Sequence, residues 1–448
     1  MLPGLRRALL LAAAPRAAPL RARAARRAAP AAAMSTTSLP ASPPASPPTA
    51  PPPPAPARPP LSTDRPRAVR PLLSVAPMME WTDVHFRQLA RLLSRRAWLY
   101  TEMVVDQTLL HNPDTDRFLA FPPEQRPLVL QLGGSDPEKL EKAAAIAARY
   151  GYDEINLNCG CPSDRVAGAG CFGASLMLTP ARVAACCAAL AAGAGGAAVT
   201  VKCRLGVDDA DSYAELSAFV REVSAASPVR HFVIHARKCI LKGLSPAQNR
   251  SVPPLRYGWV LALRRDFPAL EFSLNGGVES LASAAAALRL PGTLGVAGVM
   301  VGRAAYHDPW ALLAGADVAV FGEAENPQPS RRAVLKAYCA YADPAVGSHH
   351  VAADGHRSPS VRALTAPLLG LFKGAPRGKK WRAAIDTALK KGPATVSEVV
   401  EAANAVLLAE TLDAPPPPPP ALPTDETGLR ALLAHGFAAD ADLPPPAP

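Results

Sequence analysis

The residues with the clearest chemical potential sit in one short run, Asn158-Cys159-Gly160-Cys161-Pro162-Ser163. A zinc half-site wants two residues between its cysteines and a second pair elsewhere. Here one residue intervenes, and the remaining cysteines (171, 186, 187, 203, 239 and 339) supply no pair with that spacing, so no metal is expected. A disulfide across a single residue would be strained. What remains is a structural loop or a catalytic thiol. An ordinary thiol, with a pKa of about 8.5, is mostly protonated near neutral pH and can act as an acid without special tuning. Other residues suggest company for it. Lys202 would be costly to bury unpaired, and an electron-rich cofactor ring would suit it. His235 lies in the polar run His235-Ala236-Arg237-Lys238, and Asn275-Gly276-Gly277 and Gly302-Arg303 offer bare backbone N–H groups and a guanidinium to a phosphate. Gly168-Ala169-Gly170-Cys171-Phe172-Gly173 spells the dinucleotide fingerprint. That fingerprint needs a strand running directly into its first glycine, and the Cys161 loop intervenes. The stretch is read instead as a loop that moves around the thiol.

Residues so far apart need a scaffold that collects them. Eight short, β-rich apolar runs alternate with helical patterns: Leu72–Ala76, Trp98–Val104, Leu128–Leu132, Glu154–Leu157, Ala198–Cys203, Phe232–His235, Leu270–Leu274 and Val296–Val301. Between them lie Ala-rich helical stretches such as Pro137–Tyr150 and Pro180–Ala192. Eight such units predict an α/β fold, a (β/α)8 TIM barrel, with functional residues at the C-terminal strand ends. Every end carries a candidate: Pro77-Met78-Met79, Glu102, Gln131, Asn158 to Cys161, Lys202 with Arg204, His235, Asn275-Gly276-Gly277 and Gly302-Arg303.

Composition sets the borders. The chain has 448 residues and 51 prolines, which crowd between Leu39 and Pro60 and again from Pro415 to Pro448. Such stretches bury little apolar surface, so both ends are expected to be disordered. Residues 1–63 hold eight arginines and neither a lysine nor an acid, the composition of an organellar transit peptide. The expected address is a plastid or mitochondrion, or the cytoplasm if translation starts at Met34. The apolar run Ala8–Ala14 is too short to span a membrane, and no membrane association is expected. The net charge of +11 is mostly this leader, since the other 385 residues carry 40 basic and 37 acidic groups. Any nucleic-acid surface must therefore be a local patch. The expected domains are a barrel over 70–310, a helical domain over 311–412 and a Pro-rich tail over 413–448. In the helical part, Arg332–Tyr341, Ser360–Phe372, Lys380–Lys390 and Ser397–Leu412 read as helices. Between Arg362 and Lys391 lie eight basic residues and one acid, Asp386. Lys373, Arg377, Lys379, Lys380 and Arg382 cluster around Trp381, which can pack or stack, and the group suits a phosphate backbone.

At these residues the sequence resembles the tRNA-dihydrouridine synthase family, and within it the A-type subfamily, from about Leu72 to Leu389. The motifs are Ser74-Val75-Ala76-Pro77-Met78-Met79-Glu80-Trp81-Thr82-Asp83, Tyr100-Thr101-Glu102-Met103, Gln131-Leu132-Gly133-Gly134, the Asn156 to Ser163 run, Val199-Thr200-Val201-Lys202 and His235-Ala236-Arg237-Lys238. Gly243-Leu244-Ser245-Pro246, Asn249-Arg250, Pro253-Pro254-Leu255, Asn275-Gly276-Gly277 and Gly302-Arg303 follow in order. The resemblance implies an FMN-bearing barrel and a helical tRNA-binding domain. Pro77, Met78, Met79, Gln131, Lys202, His235, Asn275, Gly276, Gly277, Gly302 and Arg303 would hold FMN. Cys161 would be the proton donor, and Asn158, Arg250, Lys379 and Arg382 would touch tRNA. The implied activity is NADPH-driven reduction of D-loop uridines, at positions 20 and 20a for the A-type. Hydride goes to C6 of a flipped-out uracil and a proton to C5. Three positions depart from the pattern: Ala247 replaces a longer, often basic residue, Lys379 stands where arginine is usual, and Ala342–Pro359 reads as an insertion. A monomer is expected. Two alternatives stand beside this reading: an FMN barrel reductase of a small pyrimidine or enone, and a non-catalytic tRNA-binding factor.

Overall fold

The computed structural model describes residues 71–162, 172–291, 295–351, 357–439 and 444–446. The leader read in residues 1–63 and most of the Gly168–Gly173 stretch lie outside the described residues.

Eight short strands follow one another in the chain: β1 (Leu73–Val75), β2 (Leu99–Val105), β3 (Leu128–Gly133), β4 (Glu154–Cys159), β5 (Ala198–Arg204), β6 (His231–His235), β7 (Glu271–Asn275) and β8 (Gly298–Val301). They pair in parallel in the order β1-β8-β7-β6-β5-β4-β3-β2. β1 meets β2 through a parallel bridge between Ser74 and Trp98, with backbone bonds of 2.8 Å from Val75 N–H to Trp98 O and 2.9 Å from Trp98 N–H to Leu73 O. The sheet thereby closes into the (β/α)8 barrel. The strands are nearly all apolar because parallel strands in a barrel are covered on both faces: every residue of β1, β3 and β8 is buried.

The helices start where the sequence caps them. Asp83 accepts from the amides of His85 and Phe86 at the head of Val84–Leu93, and Asp136 does the same for Pro137–Ala148, which has proline in its first turn. Ser212 and Glu215 form a reciprocal capping box on Tyr213–Ala225. The expected helix over Pro180–Ala192 is present as Pro180–Gly193.

After β8 the chain is helical. Arg331–Ala345 packs on Val84–Leu93, with His85 Nδ1 2.9 Å from the Tyr341 hydroxyl. The expected helix Ser360–Phe372 is two shorter pieces, Val361–Thr365 and a 3-10 turn over Ala366–Gly370. Pro367 lacks the N–H that a continuous α-helix would use. Ser397–Leu412 likewise divides into Val396–Asn404 and Ala409–Asp413. The stretch Ala342–Pro359 finishes the helix Arg331–Ala345, and within it His350–Val351 pairs antiparallel with Arg357–Ser358.

The tail differs from the disorder expected of it. Residues 413–439 are described and carry helices Glu426–Ala431 and Ala434–Phe437. Leu429 and Leu433 are buried, spaced one helical turn apart. Proline content misleads here because a fixed φ also lowers the entropy lost on ordering.

Candidate functional site

Strand register does the collecting. Gln131 pairs with Asn156, Asn158 with Lys202, Arg204 with His235, and His235 with Asn275. Candidates separated by some 145 positions thus become neighbours along one arc at the C-terminal strand ends. A cavity of about 550 Å³ opens there, within the range of a nucleotide-sized ligand. Its lining includes Pro77, Met78, Met79, Gln131, Asn158, Cys161, Lys202, His235, Arg250, Asn275, Gly276, Gly277, Gly302 and Arg303. All the barrel residues singled out from the sequence as cofactor, proton-donor or base contacts therefore face one space.

The thiol loop is held from both sides. The Asn158 Oδ1 accepts from the Gly160 N–H at 3.1 Å and the Cys161 N–H at 2.9 Å. Its Nδ2 donates to Gln131 Oε1 at 2.8 Å, Gln131 donates to Asn156 at 2.8 Å, and Asn156 donates to Thr200 Oγ1 at 2.9 Å. This chain of buried amides fixes Asn158, and Asn158 fixes the loop. From the other side Arg204 Nε donates to the Gly160 carbonyl at 2.8 Å, while its Nη1 reaches Lys238 O and Asn249 O at 3.1 and 2.9 Å. The Cys161 carbonyl accepts from Ala174 N–H at 2.9 Å. Cys161 is half-buried; Cys159 is fully buried, and burial pushes its thiol well above the ordinary range. The two cysteines therefore split: Cys159 packs in the core and Cys161 faces the cavity.

The cavity wall is cationic. Burial lowers the Lys202 ammonium to about 8, with the Arg204 guanidinium adding to the effect. No carboxylate is paired with it among the described residues. His235 is pushed well below its usual value, first by burial and then by Arg204, Lys202, Arg237 and Arg303, so its imidazole is neutral at pH 7. Its Nδ1 is buried with no hydrogen-bond partner among the described residues. The glycine corner lies beside that ring. Gly276 and Gly277 have φ of +100° and +73°, and a Cβ on Gly276 would come within 3.0 Å of the His235 ring. An unsatisfied buried imidazole nitrogen, an uncompensated ammonium and a glycine corner beside Arg303 suit a ligand with an electron-rich ring and a phosphate.

Two expectations move. Glu102 lies within β2, at the register shift between Tyr100 and Met103, not at the strand end. Its carboxylate takes the Glu80 N–H rather than facing the cavity. Trp381 is fully buried, packed against Phe372 with ring centres 4.7 Å apart, and its indole N–H donates to Asn404 Oδ1 at 3.1 Å. It packs and is not free to stack on a base. Lys379 and Arg382 flank it on the helix Gly378–Leu389, exposed and away from the cavity. Sequence reasoning left Arg204 and Asn249 without a role. Asn249 is fully buried and binds Ile240 N–H and the Ile240 carbonyl, both at 2.8 Å. The motif Asn249-Arg250 was visible in the sequence, but only Arg250 carried an expected contact. Met103, Met300 and Ala76, which also line the cavity, read as ordinary core.

The dihydrouridine synthase family model matches residues 74–407. The chain belongs to the dihydrouridine synthase family. Among curated members, it is 47% identical over 342 residues to the tRNA-dihydrouridine(20/20a) synthase of Xanthomonas axonopodis pv. citri, covering 76% of this chain and 95% of that protein. It is 44% identical over 333 residues to the enzyme of the same name from Salmonella typhimurium, covering 74% and 94%. The Xylella fastidiosa synthase is 44% identical over 339 residues, covering 76% and 94%. The matched span of this dihydrouridine synthase takes in the whole cavity lining and the helix carrying Lys379 and Arg382, and stops short of the tail helices. Among the described residues no cluster of three or more metal-ligating side chains forms, and no helix is long and apolar enough to cross a membrane.

Proposed function

We propose that this dihydrouridine synthase reduces the C5–C6 bond of D-loop uridines in tRNA, at positions 20 and 20a, using FMN recharged by NADPH. The observation that carries the reading is the placement of Cys161 in the same cavity as Lys202, His235 and the glycine corner. Bound FMN would supply the hydride for C6. The protein's own part is to bind, orient and protonate. Arg303 and the amides of Gly276, Gly277 and Gly302 would hold the phosphate, and Lys202 would face the ring edge that gains negative charge. Gln131, Asn275, His235 and Pro77 to Met79 would enclose the ring. Cys161 Sγ would deliver its proton to C5 of a uracil swung out of its stack into the mouth.

The tRNA would cross from the mouth to the helical domain over a line of cations. Arg303 Nη2 donates to the Arg250 carbonyl at 3.3 Å. The His307 imidazole, lowered by burial, also feels Lys373 and Arg303. Lys379 and Arg382, both exposed on the helix Gly378–Leu389, would add phosphate contacts on the helical side, and Asn158 and Arg250 would meet the base. Incubating the full chain with FMN, NADPH and unmodified tRNA should give dihydrouridine at positions 20 and 20a. Reduction of free uridine at the same rate would favour a small-molecule reductase, whose activity would survive deletion of residues 360–412.

A further inference from the structure

The glycine corner has an outer side as well as a face to the cavity. The Tyr257 hydroxyl donates to the Gly276 carbonyl at 2.6 Å, and His435 Nε2–H donates to the Gly277 carbonyl at 2.8 Å. The same His435 nitrogen lies 3.3 Å from the Tyr257 oxygen. His435 belongs to the helix Ala434–Phe437, beyond the family match that ends at residue 407. The segment grips Tyr257 closely. Gly436 lies flat on its ring, where a Cβ would approach to 2.0 Å. Phe437 meets the ring edge-on at 5.7 Å and 84°, and His435 does so at 5.7 Å and 74°. Arg430 covers Phe437 at 5.0 Å, and Leu429 and Leu433 seat the segment in the core.

In a trans peptide the N–H points opposite to the C=O. With the carbonyls of Gly276 and Gly277 drawn outward to Tyr257 and His435, the amides of Gly277 and Val278 turn toward the cavity that both residues line. Neither amide has a hydrogen-bond partner among the described residues. Left-handed glycines have many alternative conformations, so the two outer bonds select the one that presents both donors. We infer that His435, with Tyr257, is a positioning residue for the anion cradle: the tail segment fixes the peptide planes whose N–H groups meet the cofactor phosphate. This rests on the FMN reading above.

The test titrates FMN and riboflavin, which lacks the phosphate, into the cofactor-free full-length chain and follows flavin fluorescence. His435→Ala should weaken FMN binding about tenfold, the worth of one pre-set hydrogen bond to a charged group. Riboflavin binding should stay unchanged within error. His435→Gln, which keeps a donor, should recover most of the loss. FMN affinity unchanged in His435→Ala, or equal losses for FMN and riboflavin, would overturn the inference while leaving the FMN site in place. An unaltered chain that does not prefer FMN over riboflavin would instead overturn the phosphate reading, and the inference with it.

Discussion

Replacing Asn158 tests how the thiol loop is held. Asn158→Ala removes one amide and leaves three groups without their partner: the N–H groups of Gly160 and Cys161 and the Oε1 of Gln131. At about 1 kcal/mol net for each bond, the loop loses roughly 3 kcal/mol of restraint. That corresponds to about a hundredfold fewer molecules with Cys161 in place. Single-turnover formation of dihydrouridine by pre-reduced enzyme reads this loss directly, and should fall by about that factor. The companion change Asn158→Asp keeps both acceptor bonds to the loop. It loses the donor to Gln131, but the amides of Gln131 and Asn156 can both flip, because the Thr200 hydroxyl at the end of the chain can donate as well as accept. The aspartate variant should therefore hold the loop better than the alanine variant does. A single-turnover rate for Asn158→Ala within about threefold of the unaltered enzyme, at equal FMN occupancy, would refute this account of the loop.

Lys202 makes a linked prediction about pH. Its pKa falls from the ordinary 10.5 to about 8 in the folded chain, so between those values the folded state binds fewer protons than the unfolded state. Stability of the cofactor-free protein therefore rises as pH increases from about 8 to 10.5, and below 8 the buried charge is a standing cost. Lys202→Met should stabilise the cofactor-free chain at pH 7 by about 1–3 kcal/mol in denaturant melts, the low end reflecting residual solvent contact. The same change should weaken FMN binding and abolish its decline above pH 8. Lys379→Glu with Arg382→Glu should raise the KM for tRNA and flatten its salt dependence by about two phosphate contacts, with FMN binding unaltered.

The barrel was legible because eight buried parallel strands leave a plain apolar rhythm, and because chemistry gathers at strand ends in this fold. Strand limits shifted by a residue or two, as for β7, which runs Glu271–Asn275 where Leu270–Leu274 was expected. The residues that line the cavity were legible for the same reason: polar side chains at the ends of apolar strands stand out. What failed to show was support at a distance. Arg204 was visible as a strand-end charge, yet its grip on Gly160 depends on tertiary approach. Trp381 sat among lysines and arginines, but its neighbours in space are Phe372 and Asn404. The tail was hidden by its prolines; three apolar residues at helical spacing, Leu429, Leu433 and Phe437, were the signal that it packs.

The central claim is that Cys161 gives the proton. Cys161→Ala should bind FMN and tRNA as the unaltered chain does. Its rate of dihydrouridine formation, read by the mass gain of two hydrogens on the target uridine, should drop at least about a hundredfold, the usual reach of a positioned acid. Turnover within a few-fold of the unaltered enzyme would contradict the account.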